Sequence, residues 1–289
     1  MPAEEKAPLV FNIKTSPEDR RGKAYIVNPY TKEILNDPAA KPSFFFFFFR
    51  LHRWLLLKQE IGSVIVGVTT LIFIALLFSG LYLWWPKSKA HLKHSLKVRL
   101  KGSWKRINYD LHNTLGFYSL IFLLVMALTG LCWSFEWYRT GLSGVLGAEV
   151  FGERKAMPTK VATQIETLPF EKLIEAGNSI LPYKGQITLT LPMRGSALVM
   201  TKSPSEALTL NYTDKIELNP YNGEVLKSDL FTNKTAGKKI TSLIRHLHTG
   251  EFFGLFSKII YFITCLIATT LPVTGVIIWV EKLNRKRVL

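Results

Sequence analysis

Apolar residues along the chain gather into three continuous blocks, Ile61 to Trp85, about Leu115 to Trp133 and about Phe252 to Val280. Each is long enough to cross ~30 Å of hydrocarbon at ~1.5 Å per residue, so the pattern predicts three transmembrane helices. Tryptophans stand at the block ends, Trp84 and Trp85 before Pro86, Trp133 and Trp137, and Trp279, where indoles anchor at headgroup level. In each block a small pair, Ser79-Gly80, Thr129-Gly130 or Thr274-Gly275, precedes one of these tryptophans by three or four residues. Two readings of the small pairs stay open: close helix packing, or room for a flat cofactor.

Between the second and third blocks the period changes. A helical pattern runs from Leu168 to Ile180 and stops at Pro182; alternation then predicts strands at Ile187–Leu191, Ala197–Met200 and Leu208–Tyr212. From Lys215 to Leu226, the residues Asn219, Pro220, Asn222 and Gly223 supply a turn between two further strands. One helix on a small antiparallel sheet is the expected result.

Part of this pattern occurs twice. Ile26-Val-Asn-Pro-Tyr-Thr-Lys-Glu-Ile-Leu35 matches Glu217-Leu-Asn-Pro-Tyr-Asn-Gly-Glu-Val-Leu226, and each copy is followed by a histidine and then a membrane block. The histidine is His52 in the first copy and His248 in the second. The first copy lacks the helix and strands that precede the second, and a lone hairpin is marginal in water. Residues 1 to 43 are therefore expected either to pair with the outer domain of the same chain or to belong to a longer protein.

Charge orients the blocks. The chain of 289 residues is 48% apolar and carries 37 Lys and Arg against 21 Asp and Glu, a net +16. Eight basic residues and no acid lie between Lys87 and Arg106, and the segment from Glu281 adds four basic residues; together they hold +11 of the +16. A surplus abutting apolar blocks is a topology signal rather than a nucleic-acid surface, so these segments are expected in the cytosol and the N-terminus and residues 135 to 245 outside. The acidic residues nearest the blocks, Glu60, Asp110, Glu136 and Glu251, all sit at block ends, which argues against an ion path through the midplane. Cys132 and Cys265 lie inside blocks and form no disulfide framework, and the first forty residues are polar with no signal-peptide core.

Arg50-Leu-His-Arg-Trp54 followed by Ile61-Gly-Ser-Val, Tyr109-Asp-Leu-His-Asn-Thr-Leu-Gly116 followed by Ala127-Leu-Thr-Gly130, and Leu247-His-Thr-Gly250 followed by Leu271-Pro-Val-Thr-Gly275 together resemble the PepSY-associated transmembrane-helix family over nearly the whole chain. The resemblance implies a membrane α-helical fold with three transmembrane helices and a small periplasmic α+β PepSY-like domain. The division is then 1–43, a periplasmic partial PepSY-like hairpin; 44–60, an interfacial helix; 61–85, the first span; 86–108, a cytosolic basic loop; 109–134, the second span; 135–240, the periplasmic PepSY-like domain; 241–281, an interfacial turn and the third span; and 282–289, a cytosolic tail.

Members characterised as di-haem inner-membrane reductases of ferric siderophores imply b-type haems between helices, one near each membrane face. The absence of Cys-x-x-Cys-His excludes a c-type attachment. Two imidazoles saturate a haem iron axially, which suits electron transfer. His52 and His248 are expected at the outer face, clamping one haem b between the first and third spans. His112 is expected at the cytosolic face, with Gly116 leaving room for a ring edge, as a ligand of a second haem. Similar proteins have a further N-terminal helix whose histidine would partner it; here that partner falls to a neighbouring polypeptide, a second copy, or none. His91 and His94 are substitute candidates within a lipid-facing basic loop. His246 competes with His248, but two residues apart on a helix they point ~200° from one another. Arg50, Arg53 and Arg245 are expected to pair with haem propionates or with phospholipid phosphates. The run Phe44 to Phe49 is expected to anchor at the interface or to shield a haem face.

The function the resemblance implies is that of a bacterial inner-membrane b-type haem protein passing electrons to a periplasmic acceptor such as ferric siderophore, with membrane lipids as its other partners, no nucleic acid, and an unnamed electron donor. The rival reading is a non-catalytic membrane anchor whose outer domain binds a peptide, a protease or the cell wall.

Overall fold

The computed structural model describes the chain apart from residues 1–7, 14–22, 37–43, 87, 89–91, 94, 153–157, 163–165, 192–194, 207 and 288–289. His91 and His94 lie outside the described residues. The chain divides into two units, an α/β unit of residues 1–51 and 146–242 and a helical unit of residues 52–145 and 243–289.

The helical unit holds α2 (Gln59–Trp84), α3 (Trp104–Ser134), nearly all of α4 (Glu136–Leu146) and α7 (Gly254–Arg287), together with the C-terminal ends of α1 (Phe44–Trp54) and α6 (Ala236–Thr249). Among the described residues α2, α3 and α7 are the three helices long and apolar enough to cross a membrane. α2 stops before Pro86, which disfavours helical backbone at Trp85. α3 begins at Trp104, ahead of the expected 109, and α7 continues past 281 to Arg287. Hydropathy marks where a helix leaves hydrocarbon, whereas backbone hydrogen bonding continues into water. From the extra turn of α3, Arg106 holds buried Asp110 at 2.9 Å, and Arg99 reaches the same carboxylate at 3.7 Å, which pins the basic loop to the helix. α4, an amphipathic helix at the start of the segment assigned to the outer domain, was not legible as a separate element.

The helical unit is built on α3: α2 and α7 each pack along it. Close approach of α2 is set at Gly67, where a Cβ would stand 2.6 Å from the Phe135 ring and 2.8 Å from Ser134 Cβ.

In the α/β unit, β1 (Leu9–Ile13) and β2 (Lys23–Val27) form a two-stranded sheet, and β3 (Gly185–Thr190), β4 (Leu198–Pro204), β5 (Asp214–Leu218) and β6 (Val225–Asp229) an antiparallel meander. Helix α5 (Phe170–Ile180) covers the meander through Leu173 and Gly177, onto a core of Leu181, Ile187, Leu198, Met200, Ile216 and Leu218. The helix-on-sheet expectation holds, with one correction. Leu208–Tyr212 is not a strand: Pro204 ends β4 without an N–H to offer a neighbour, Leu208 turns the chain at φ 62°, and Tyr212 instead stacks on Phe231 at 4.7 Å.

The repeat is visible at atomic level. Asn28 and Asn219 each accept from the backbone N–H two residues on, at 2.9 and 3.0 Å, and each backbone closes on the matching glutamate carbonyl, at 2.9 and 2.8 Å. Lys32 takes the left-handed conformation at φ 61° that Gly223 takes at 75° in the second copy.

Glu217, on β5 but facing away from the α5 core, is 2% exposed and accepts from the Thr159 N–H at 2.9 Å, the Thr159 hydroxyl at 2.6 Å and Lys215 at 3.1 Å. Burial alone would raise its pKa; these donors outweigh it and hold the carboxyl below its usual range. A lowered pKa means stabilisation that is present above the unfolded value and lost as pH falls through the folded one. Glu217→Gln is expected to cost about 1–3 kcal/mol locally. The readout is faster amide exchange at Thr159, Val161 and Ala197 in the intact chain, the latter two bonding to Gly195 and Thr159 carbonyls; unchanged exchange at neutral pH would refute it.

Candidate functional site

α6 ends at Gly250, whose φ of 74° only glycine adopts cheaply, and its carbonyl accepts from the buried Ser257 hydroxyl at 2.6 Å. This corner fixes His248 in the last turn of α6. The His248 Nδ1–H donates to the Met126 carbonyl at 2.9 Å, with the Thr129 hydroxyl oxygen at 3.2 Å, both on α3. A carbonyl can only accept, so the proton sits on Nδ1 and the lone pair on Nε2. The ring lies over Gly130, where a Cβ would stand 3.1 Å from its Cε1, and beside Trp133 at 5.1 Å between centroids.

His52, in the last turn of α1, places its ring centroid 6.2 Å from that of His248, with 37° between the planes. Two imidazoles each bound through one nitrogen at ~2 Å to a metal between them have ring centres about 6 Å apart, so the pair fits axial ligation of a haem iron. Electrostatics favour the ligating form. Burial lowers the His248 pKa first; its bond to Met126 opposes this, and His52 and Arg53 add to it. His52 is exposed, yet desolvation by the protein around it lowers it too, followed by the charge of Arg53. Both are then neutral at neutral pH, with a lone pair for a metal.

His112, at the other end of α3, repeats the arrangement in reverse. Its Nδ1 lies 2.8 Å from the Thr274 hydroxyl oxygen on α7, and the Leu271 carbonyl also accepts from it. A Cβ on Gly275 would stand 3.3 Å from its Cε1, and Asn108 donates to the Thr274 carbonyl at 3.2 Å. The two sites lie about 26 Å apart along α3, at ~1.5 Å per residue. His112 therefore faces α7 and is not brought to the His52–His248 pair.

These contacts show what stands against the small residues of α3 and α7. The space beside Gly116 belongs to Leu271, 3.7 Å from a Cβ placed there, and the glycine that accommodates His112 is Gly275. The pairs Thr129-Gly130 and Thr274-Gly275 each receive an imidazole, that of His248 and that of His112. Ser79-Gly80 differs: nothing among the described residues lies within 4 Å of a Cβ at Gly80.

His246 faces elsewhere, its Nδ1 3.9 Å from Glu251, which pairs with Lys258 at 3.0 Å. Arg53 lies over the Trp54 ring at 5.4 Å, while Arg50 on α1 and Arg245 on α6 are exposed and, among the described residues, have no carboxylate partner. Rings of the Phe44 to Phe49 run contact one another, Phe44 meeting Phe48 edge-on at 4.8 Å, and leave an exposed apolar ridge suited to an interface. Sequence reasoning missed the residues supporting the histidines: Met126, Thr129, Leu271 and Thr274. The available signal was the recurring Thr-Gly ahead of a tryptophan, which size alone could not interpret.

Compared with known families, residues 1–282 match the PepSY-associated TM region. No curated protein matches the chain.

Proposed function

The chain belongs to the PepSY-associated TM region family, and from that premise we propose that it is a b-type haem protein of a bacterial inner membrane that passes electrons to an acceptor outside it. The observation that carries this reading is the His52–His248 pair, two imidazoles of lowered pKa with ring centres 6.2 Å apart. A bound haem would supply a one-electron carrier whose potential follows from axial ligation and burial.

The chain's own residues do the rest. His52 and His248 offer neutral nitrogens from two helices, and the α3 contacts hold His248 in one orientation. Arg53 contributes positive charge beside both rings, and Arg50 and Arg245 are available to carboxylates such as propionates. His112 offers a single imidazole at the far end of α3, for a second haem completed by a helix from another chain or a second copy. The basic loop and tail support a cytosolic position for that end, and with it an outer position for the His52–His248 pair. The acceptor we favour is ferric siderophore. A siderophore holds Fe(III) far more tightly than Fe(II), so one electron loosens the iron without covalent chemistry by the protein.

The test is the absorption spectrum of protein expressed with supplemented haem and purified in detergent. The expected result is a red protein with a six-coordinate Soret band that shifts on dithionite. Colourless protein would overturn the haem reading and leave a membrane-anchored outer domain that binds a peptide, a protease or the cell wall.

A further inference from the structure

The supports of His248 and His112 are two copies of one device. On α3, the Thr129 hydroxyl gives its proton to the Val125 carbonyl at 2.6 Å, with the Met126 carbonyl at 3.1 Å. On α7, the Thr274 hydroxyl gives its proton to the Thr270 carbonyl at 3.0 Å, with the Leu271 carbonyl at 3.1 Å. Each threonine thereby satisfies its donor within its own helix and turns an oxygen lone pair outward. In both cases the carbonyl three residues earlier takes the same imidazole proton, and the following glycine gives the ring its floor. The helices run antiparallel, so the histidine ahead of α7 rests on the tail of α3 and the histidine in the head of α3 rests on the tail of α7.

We infer that Thr129 and Thr274 are positioning residues that hold His248 and His112 as the Nδ1–H tautomer, with Nε2 presented as the coordinating atom, before any cofactor binds. A neutral imidazole has two tautomers, and the one that prevails is set by the partner of the other nitrogen. Each ring has two acceptors on Nδ1 and a glycine beneath Cε1. Ring plane and proton position are thus dictated by the helix it lies on. The second consequence rests on the haem reading: a donor bond at Nδ1 makes Nε2 more basic, so the same threonine tunes the potential of a metal bound there.

The two halves are tested separately. In the full chain, purified without haem in lipid vesicles and labelled with 15N-histidine, nitrogen shifts report the tautomer at a pH where both rings are neutral. His248 and His112 are expected as Nδ1–H. Removing one acceptor with Thr274→Val should move the His112 tautomer ratio about tenfold toward Nε2–H, the equivalent of one hydrogen bond. Thr274→Ser should restore it, and Thr129→Val and Thr129→Ser should do the same at His248. Wild-type rings found as Nε2–H, or valine variants that leave both ratios unchanged, would overturn the inference. In haem-loaded protein, Thr129→Val should shift the midpoint potential upward and Thr129→Ser should leave it near wild type; an unchanged valine potential would overturn the tuning role. A wild type that binds no haem would refute the proposed function while leaving the tautomer result standing.

Discussion

His248→Ala is expected to abolish the six-coordinate spectrum of haem-supplemented protein, because it removes one of the two imidazoles whose rings stand 6.2 Å apart. It also empties the space over Gly130 and leaves the Met126 carbonyl without that donor. His52→Ala should have the same spectral outcome, since it removes the other imidazole of the pair while leaving the α3 supports of His248 in place. His246→Ala is the discriminating control. It lies two residues from His248 but faces Glu251, so its loss should leave the Soret band where it was. His112→Ala should remove only what an inner haem contributes. A spectrum untouched by His248→Ala, or lost equally in His246→Ala, would contradict the assigned pair.

Gly62→Ala, a single methyl group on α2, is expected to do nearly as much damage as His52→Ala. A Cβ on Gly62 would overlap the Trp54 carbonyl oxygen and come within 2.6 Å of the carbonyl carbon and 2.7 Å of Trp54 Cα. These are backbone atoms, so no rotamer change relieves the clash. The corner between α1 and α2 must open, at a cost of about 1–3 kcal/mol. That corner is already built from Leu55 and Leu56 in the left-handed region, at φ 53° and 61°, where L side chains are rare. His52 sits two residues before Trp54 and moves with it. The expected signature is loss of the six-coordinate spectrum with the His248 bond to α3 retained. Gly80→Ala on the same helix should be silent, because open space surrounds that position. If Gly62→Ala keeps the wild-type spectrum, the corner does not set the position of His52.

The three spans, the helix on an antiparallel sheet and the duplicated Asn-Pro-Tyr turn were legible because each is encoded locally, by hydropathy, period or turn chemistry. The convergence of His52 and His248 was legible from their matched places ahead of spans of like direction. What escaped was set by distant contacts. Thr129 bonds a ring 119 residues away and Thr274 one 162 residues away, and nothing in either helix's own pattern marks that partner. Leu208–Tyr212 alternates as a strand should, but Pro204 leaves it no neighbour to pair with. β1, with Val10, Phe11 and Ile13 exposed, is a five-residue, mostly apolar run without the polar alternation that marks a strand, so it does not stand out before the first repeat.

The head-to-tail exchange of histidines between α3 and α7 has a mechanical consequence. Sliding one helix along the other would unseat both rings at once, so the two contacts act as a ruler that fixes their separation near 26 Å. Bilayers of different thickness are accommodated by tilt as well as by deformation. A helix pair locked at both ends would lean as one rod in a thinner membrane, bringing its ends closer to the two surfaces without changing the distance between them.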